Sequence, residues 1–317
     1  MTRPIVPSNL PALVKEAFTK AQASGDLIYY QTQVTILPVG SLLFQLRFSP
    51  ALAEKPKPPK PVEPLARPFN PFENPPAALV VAQIPPSHRL VLNKFAIVPE
   101  HSILVTREYK PQTHILEADD VEAAYACVQA YRKAGQGLYV FFNSGDHSGS
   151  SQPHRHLQLL PIERIKDGLE SIDRGSEWSL LADVICGREE ALPFTIFTSR
   201  IAPEMTAGER YRAYVELYKK AVRASLSAVE VAEQGEAQIS YNFAMTSTSM
   251  ALCPRTAEGA RIRDGEGREI GRLNLNGTVL AGTALVKTEA EWDTLRSGRA
   301  VLSDVLRRIG VPSTSML

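Results

Sequence analysis

Short strand-like runs, each ended by polar turn residues, follow one another through the first half of this chain and limit what it can fold into. Three of them, ALVVAQI, KFAIVP and SILVTREY, occupy residues 78–109 with only turns between them. One helical segment at 121–135 then precedes two further runs, GLYVFFN at 137–143 and HLQLLPI at 156–162. Strands joined by turns pair antiparallel, whereas neighbouring parallel strands need a crossover. The pattern therefore predicts an α+β fold on an antiparallel sheet.

The rest of the chain contains the same two ingredients. Residues 10–23 have helical spacing, and β-rich runs follow at 27–37 and 42–48. Beyond residue 165 the predicted helices lie at 178–187, 208–235 and 289–310, and the predicted strands at 239–246, 249–254, 272–276 and 278–287. A chain of 317 residues can form two lobes. We predict a catalytic lobe at 1–165 and a C-terminal lobe at 166–317, closely packed.

Residues 54–76, EKPKPPKPVEPLARPFNPFENPP, contain nine prolines. Proline donates no backbone hydrogen bond and breaks helices, so this stretch can be neither a helix nor a central strand. A linker between domains and a loop inserted within one fold both fit the composition. The flanking strands are too short to form an independent unit, which favours the insertion loop.

Charge and composition narrow the range of partners. The 35 Lys and Arg residues nearly balance the 34 Asp and Glu residues, which leaves a net charge of +1. We therefore expect no nucleic-acid or membrane partner, and no run approaches the roughly 20 apolar residues of a membrane span. The N-terminus lacks the apolar core of a secretion signal, and Cys127, Cys186 and Cys253 form no CxxC pair. Reduced thiols and a cytoplasmic location are expected, with the nucleus left open.

Two of the six histidines stand one residue apart in the segment GSSQPHRHLQ. Because residues two apart on a strand face the same side, His154, His156 and Gln158 should share one face while the intervening leucines pack behind them. The preceding loop, 148–152, can present backbone N–H groups and hydroxyls to an anion such as a phosphate. A neutral imidazole aimed at that phosphate can act as a nucleophile.

The residues alone leave other interpretations open. An HxH pair is more often a metal pair or a surface accident than a nucleophile, and a Ser/Gly loop is most often a simple turn. A metal site needs further ligands. His147 and Glu163 are candidates, but neither fits a known ligand spacing, so we expect no protein metal site.

The segment GSSQPHRHLQ closely resembles the active-site segment of the diadenosine polyphosphate phosphorylases, also called ATP adenylyltransferases, particularly those of the yeast and fungal type. This family forms the transferase branch of the histidine-triad (HIT-like) superfamily, alongside galactose-1-phosphate uridylyltransferase; the superfamily's hydrolases carry a third histidine where this chain has Gln158. Residues 90–112, the loop YVFFNSGDHSGSS, and residues 240–255 and 273–287 also resemble the family. The resemblance covers nearly the whole chain and implies a HIT-like antiparallel sheet with helices in two lobes.

The resemblance implies phosphorolysis of diadenosine tetraphosphate (Ap4A), in which Ap4A and inorganic phosphate give ATP and ADP reversibly. His156 would attack the α-phosphorus and carry the AMP group, and phosphate would then release it as ADP. His154 would orient the site through a hydrogen bond, and Gln158, which cannot titrate, would bond the phosphoryl group throughout. Turnover of ADP-sulfate is an implied side activity. We expect Mg²⁺ to accompany the polyphosphate, AMP to bind, and the protein to be a monomer.

The resemblance also implies a set of residues that hold the nucleotide and its phosphates: Lys55, Asn93, Lys94, Asn143, Gly149, Ser150, Ser151, Gln152, Asn276, Gly277, Thr278, Thr283 and Lys287. The three lysines would supply the positive charge that the net charge does not. The chain departs from the family pattern at Pro153, where relatives often carry an acidic residue, and at Thr283, where they often carry methionine. The second departure puts the contact made by Thr283 in doubt.

Three rival functions stay open. A uridylyltransferase acting on sugar phosphates shares the His-x-His-x-Gln pattern but usually has proline where this chain has Arg155. A hydrolase would use water as the acceptor, which Gln158 disfavours. A non-catalytic nucleotide-binding module would need the loop and the lysines but not a correctly phased His156.

Overall fold

The computed structural model of the chain describes residues 3–54, 69–226, 230–298 and 301–313. The loop predicted at 54–76 is therefore described only at its two ends, and Lys55 lies outside the described residues. Phe69 and the residues after it lead into a 3₁₀ turn at Ala77–Leu79 and from there into the central sheet.

The described residues form an α+β fold, as predicted. The strands are β1 (Ile28–Tyr29), β2 (Gln33–Val39), β3 (Leu42–Phe48), β4 (Val80–Ile84), β5 (His88–Leu92), β6 (Phe95–Ala96), β7 (Ser102–Thr106), β8 (Leu138–Ser144), β9 (His156–Pro161), β10 (Phe197–Arg200), β11 (Ser240–Met245), β12 (Ser249–Arg255), β13 (Gly259–Arg263), β14 (Glu269–Asn274) and β15 (Thr283–Val286). The helices are α1 (Leu10–Ser24), α2 (Ala118–Lys133), α3 (Ile162–Ile165), α4 (Leu181–Val184), α5 (Ala207–Ser225), α6 (Glu289–Ser297) and α7 (Val301–Arg307).

The centre of the fold is an eight-stranded sheet with the order β10-β12-β11-β8-β9-β7-β5-β4. Every neighbouring pair in it is antiparallel, which confirms the prediction for the central sheet. A three-stranded sheet, β15-β3-β2, and the hairpin β13-β14 lie outside it. Parallel pairing occurs between β1 and β6 and between β15 and β3.

The two faces of the central sheet are buried against different layers. Along β8, Leu138, Val140 and Phe142 belong to the core that the sheet forms with α1, α2 and α5. The alternate residues Tyr139 and Phe141 belong to a second core, which includes apolar residues of β2, β3 and β15. Each fully buried side chain of this size stabilises the fold by about 2 kcal/mol relative to an exposed one. A strand buried on both faces in this way is held rigidly.

Helix α2 has matched charges at its two ends. The carboxylate of Asp120 accepts the backbone N–H of Glu117 at 2.7 Å, which satisfies one of the free donors at the helix start. Acidic residues occupy the first turn, and Arg132 and Lys133 occupy the last, so both ends complement the helix dipole. The start of α2 is thereby fixed beside the central sheet.

Several predicted elements are shorter or divided. The helix predicted at 178–187 is reduced to the single turn of α4, and the one predicted at 289–310 is two helices, because Gly298 is extended with φ −102° and ψ 104°. The strand predicted at 278–287 begins as a 3₁₀ turn, since the Asn276 side chain caps the Thr278 N–H. Three strands were not predicted: β5, which lies where only a turn was expected, β10, and the first strand of the β13-β14 hairpin. Helix α5 ends at Ser225 instead of continuing to 235.

The two halves of the chain share the central sheet. Strand β8 of the first half pairs with β11 of the second, and β15 pairs with β3. The boundary between residues 165 and 166 stays a prediction. None of the helices in the described ranges combines the length and apolar character needed to span a bilayer.

Candidate active site

Strand β9 presents His156 and Gln158 on one face, as alternation requires. Leu157 and Leu159 are 1% and 0% exposed and lie in the helix-side core, which confirms that they pack behind the polar residues. His156 faces the opposite side, where its ring centre is 5.0 Å from that of Phe72. His154 precedes the strand in an isolated bridge with Pro111.

The hydrogen bonds of His156 define its tautomer. Its Nδ1 lies 2.8 Å from the carbonyl oxygen of His154, and because a carbonyl only accepts, Nδ1 carries the proton. Its Nε2 has no hydrogen-bond partner among the described residues and carries the lone pair. Burial lowers the pKa of His156 to about 4, so the ring is neutral at physiological pH. A neutral imidazole with a free Nε2 is the form that attacks phosphorus.

His154 has the opposite arrangement. Its Nε2 lies 2.9 Å from the carbonyl of Thr106 and 3.2 Å from that of Glu108, so Nε2 is the protonated nitrogen. Burial also lowers the pKa of His154. Both ring nitrogens of His154 are therefore engaged within the protein, and it is the backbone carbonyl of His154 that bonds the His156 ring.

Gln112 bridges strands β8 and β9 beside His156. Its amide nitrogen donates to the carbonyls of Asn143 and His156, at 2.8 and 3.2 Å, and its oxygen accepts the backbone N–H of His156 at 2.7 Å. Gln112 is 2% exposed, so all three bonds are shielded from water. Asn143 and His156 are thereby placed side by side on the same face of the sheet.

Gln158 follows His156 on the same face, between Ile103 of β7 and Phe141 of β8. It is only partly buried, and its amide makes no hydrogen bond to any residue in the described ranges. The amide is therefore available to a ligand beside His156.

A relay of side-chain amides fixes the orientation of Asn143. Arg255 only donates, so its bond to Asn242 identifies the side-chain oxygen of Asn242 as the acceptor. The Asn242 amide nitrogen then donates to the Asn143 oxygen and to the carbonyl of Ser148, both at 2.9 Å. The Asn143 oxygen also accepts the backbone N–H of Gly277 at 2.8 Å. The amide nitrogen of Asn143 is left without a partner among the described residues and is free to donate to a ligand.

The loop before the histidines packs directly on the segment 275–277. Gly149 has φ +78°, and a Cβ there would lie 2.8 Å from the Cβ of Asn276. A Cβ on Gly277 would lie 2.5 Å from the ring of Phe141. Both positions therefore require glycine, one for its backbone conformation and both for close approach. This packing places the loop 148–152 of the first half of the chain against the segment 276–278 of the second half.

Comparison with known proteins gives two family matches that together span most of the chain. The model described as the Ap4A phosphorylase N-terminal domain matches residues 1–172, and the model described as the ATP adenylyltransferase C-terminal domain matches residues 190–312. The chain belongs to the Ap4A phosphorylase family.

Two relatives of this family from Saccharomyces cerevisiae align over nearly their whole length. Diadenosine 5',5'''-P1,P4-tetraphosphate phosphorylase 2 is 27% identical over 333 residues, and Protein APA1 is 26% identical over 343 residues; each alignment covers 98% of this chain and 97% of the relative. The crystal structure of yeast Ap4A phosphorylase Apa2 has a TM-score of 0.77 at 26% identity, covering 98% of this chain and 97% of that one. The complex of Apa2 with AMP gives a TM-score of 0.76 at 25% identity, with coverage of 98% and 99%. The family members therefore share the fold described above.

The fold brings most of the predicted site residues of this Ap4A phosphorylase family member together. Around the histidines and the segment 275–277 lie Gln158, Asn143, Gly149, Asn276, Gly277 and Thr278, joined by the contacts given above. Ser150 donates to the carbonyl of Gln152 at 3.4 Å, while Ser151 is exposed. Pro153, next to them, is exposed as well.

The remaining predicted residues lie farther out or are engaged elsewhere. Asn93 bonds the His101 ring at 3.2 Å, and Lys94 beside it is exposed near the Phe95 ring. Lys287 is exposed directly after β15. The hydroxyl of Thr283 is buried and donates to the Gln45 side chain at 3.3 Å, so this hydroxyl is used within the protein.

The geometry does not support a metal site on the two histidines. Both nitrogens of the His154 ring contact protein groups, and Nδ1 of His156 donates to a carbonyl, so the two rings do not converge on one point. Within the described ranges, no group of three His, Cys, Asp or Glu side chains lies close enough to hold an ion.

Sequence reasoning missed the residues that position the site. Gln112 and Arg255 lie in segments that resemble the family. Nothing in the sequence around them shows that Gln112 bridges two strands or that Arg255 orients the Asn242 amide. Both become visible only through bonds across 44 and 13 residues of sequence.

Proposed function

We propose that this chain phosphorolyses Ap4A to ATP and ADP through an adenylyl group carried on Nε2 of His156. The observation that carries the proposal is the buried, neutral imidazole of His156, whose Nδ1–H is held by the His154 carbonyl and whose Nε2 is unengaged. The family membership supports the same reaction, since the relative named diadenosine 5',5'''-P1,P4-tetraphosphate phosphorylase 2 aligns over 97% of its length. The crystal structures of Apa2 with Ap4A and with AMP are consistent with nucleotide substrates of this class.

The reaction divides into two displacements. In the first, the Nε2 lone pair of His156 attacks the α-phosphorus, the bond to the bridging oxygen breaks, and ATP leaves with that electron pair. In the second, an oxygen of inorganic phosphate attacks the same phosphorus and the N–P bond breaks, which returns neutral His156 and releases ADP. Phosphoryl transfer of this kind depends mainly on alignment and on groups that stabilise charge.

The His154 carbonyl has a specific task in both steps. When Nε2 bonds to phosphorus, the imidazole ring gains positive charge and its Nδ1–H becomes a stronger donor. The carbonyl oxygen at 2.8 Å stabilises that charge without accepting a proton. The ring therefore keeps Nδ1–H throughout, and no general base is needed to prepare the nucleophile.

We assign the remaining donors to the equatorial oxygens of the α-phosphate. The free amide nitrogen of Asn143 and the partly buried amide of Gln158 flank His156, and the backbone of residues 148–152 lies against Asn276. Lys94 and Lys287 are exposed and suited to the outer phosphates, and Lys55 is proposed for the same role from the resemblance. Mg²⁺ would be held by the polyphosphate itself and would neutralise part of its charge. We further propose that the protein is a cytoplasmic monomer and that it accepts ADP-sulfate as a second substrate.

The test is turnover of Ap4A by the purified protein with and without inorganic phosphate, with nucleotides resolved by chromatography. We expect ATP and ADP in equal amounts only when phosphate is present, and an activity at least about 1000-fold lower in His156→Ala. His114→Ala is the matched control, because His114 lies outside the site and should keep full activity. ATP with AMP in the absence of phosphate would show a hydrolase instead, and turnover of UDP-sugars alone would favour the uridylyltransferase alternative.

A further inference from the structure

The chain returns to the reaction centre directly after the proline-rich stretch. Asn70 lies with its amide nitrogen 3.0 Å from Nδ1 of His154. Two residues later, the Phe72 ring packs 5.0 Å from the His156 ring and 6.0 Å from the His154 ring. Phe72 is 6% exposed and shares a small core with Val91, Ile103 and Val105. Residues 70–72 therefore form part of the wall around both histidines.

The orientation of the Asn70 amide follows from its second contact. The backbone N–H of Phe72 donates to the Asn70 side-chain oxygen at 3.0 Å. A backbone N–H only donates, so this contact identifies the oxygen, and the atom that faces His154 is the NH₂ group. Asn70 thus donates to Nδ1 of His154, which must carry a lone pair.

Both ring nitrogens of His154 are then specified. Nδ1 accepts from Asn70, and Nε2–H donates to the carbonyls of Thr106 and Glu108. An imidazole that accepts at one nitrogen and donates at the other is neutral. Protonating it would place a second N–H against the NH₂ group of Asn70, which has no lone pair to accept it.

We propose that Asn70 is a positioning residue that holds His154 in the neutral Nε2–H tautomer, so that its backbone carbonyl receives Nδ1–H of His156. The proposal rests on the function proposed above for His156, and it names the residue that keeps charge away from the nucleophile. The two histidines are linked by the 2.8 Å bond between His156 Nδ1 and the His154 carbonyl, so a displacement of the His154 backbone would move that acceptor. The hydrogen bonds on both nitrogens of the His154 ring anchor the residue and so hold its carbonyl in place.

A charged His154 would work against catalysis. Positive charge on His154 lowers the pKa of His156 and withdraws electron density from its lone pair. The other charged groups that act on His154 are Arg89 of β5, which opposes its protonation, and Glu73, which favours it. Tyr109 contacts the ring from the remaining side. None of these groups bonds the His154 ring nitrogens. The Thr106 hydroxyl lies 3.0 Å from Nε2, where it can accept from Nε2–H, and Asn70 is the side chain that faces Nδ1 and so disfavours a proton there.

The experiment compares Asn70→Asp, Asn70→Ala and the control Asn74→Ala, since Asn74 is exposed on the same segment. Proteins labelled with ¹⁵N-histidine are titrated between pH 6 and 8, and the six histidines are few enough to assign by single substitutions. In the wild type and in Asn74→Ala, we expect one protonated and one unprotonated nitrogen for His154. In Asn70→Asp, the carboxylate can accept a hydrogen bond from Nδ1–H of His154, so both ring nitrogens of His154 should be protonated at pH 7.

The rate of His156 adenylylation by Ap4A without phosphate provides the second measurement. Loss of one hydrogen bond to the supporting ring should slow this step about tenfold in Asn70→Ala. Asn70→Asp should be slowest at pH 6 and recover as His154 loses its extra proton at higher pH. Neutral His154 in Asn70→Asp throughout this range, or adenylylation within about twofold of wild type in both variants, would overturn the proposal. If the wild type is not adenylylated at all, the function proposed above fails, while the nitrogen spectra still decide the role of Asn70.

Discussion

The depressed pKa of His156 predicts that the adenylylation step keeps its rate in mildly acidic solution. An exposed histidine loses its nucleophilic lone pair as the pH falls through about 6.5. In this site, burial disfavours the charged ring and lowers the pKa to about 4, with the nearby His154 acting in the same direction. The acid limb of the rate should therefore move to lower pH by the same amount.

The size of the effect follows from the fraction of neutral imidazole. At pH 5 a histidine of pKa about 4 is about 90% neutral, whereas one of pKa about 6.5 is about 3% neutral. The two cases differ by a factor of about 30 at pH 5 and by almost nothing at pH 8. The internal phosphates of Ap4A ionise at much lower pH, so the substrate does not titrate over this interval.

A single-turnover assay measures this difference directly. Excess enzyme is mixed with labelled Ap4A in the absence of phosphate, the reaction is quenched, and the protein-bound label is counted from pH 5 to pH 8. The expected result is a rate at pH 5 within about twofold of that at pH 8. A fall of more than about tenfold, with a midpoint between pH 6 and 7, would show that His156 is not held neutral by burial and would refute the reasoning.

Two further predictions concern the residues that hold the site. Asn242→Asp keeps the size of the side chain but places an oxygen opposite the Asn143 oxygen and the Ser148 carbonyl. We therefore expect steady-state kinetics to show KM for Ap4A raised about tenfold with a smaller change in kcat. An unchanged KM would mean that Asn143 does not bind substrate through its amide nitrogen. Arg155→Met leaves Asp120 buried without its cation and should lower the free energy of unfolding, measured by urea denaturation, by about 3 to 5 kcal/mol. The double variant Arg155→Met/Asp120→Asn should recover at least half of that loss. Strictly additive losses would show that the two side chains are not coupled.

The sequence was sufficient where a local pattern determines the structure. The period of two through HRHLQLL predicted which face of β9 carries His156, because one residue of slip would have turned it into the helix-side core in place of the leucines. Helix α2 was predicted within three residues of its bounds, since its apolar spacing is uninterrupted. The predicted bounds of a helix were wrong where tertiary contacts decide its length. In the segment 178–187, for example, only one turn is helical.

The sequence could not predict several contacts at the site for the same reason, because tertiary contacts decide them. His154 was expected to orient the site through a hydrogen bond; its backbone carbonyl bonds the His156 ring, while its side chain bonds Thr106, Glu108 and Asn70, and the sequence pattern does not show this division. Asn70 was counted only as part of a proline-rich stretch, because composition says nothing about where such a stretch returns to the fold. The departure from the family pattern at Thr283 left its contact with a ligand in doubt, and its hydroxyl bonds Gln45, which is 238 residues away in sequence. Contacts of this kind arise from the assembled sheet and have no local signature.

Arg155, between the two histidines, shows how the site is fixed from the opposite side of the sheet. Alternation turns its side chain to the helix face, where its guanidinium bonds Asp120 and Glu117 at 2.8 Å each, and Asp120 also bonds His88 at 2.9 Å. Buried ion pairs add little net stability, but they penalise any arrangement that separates the charges. A one-residue slip of β9 would carry Arg155 away from both carboxylates and turn His156 toward them. The ion pair at the start of α2 therefore specifies the register that places His156 on the face of the sheet opposite the helices.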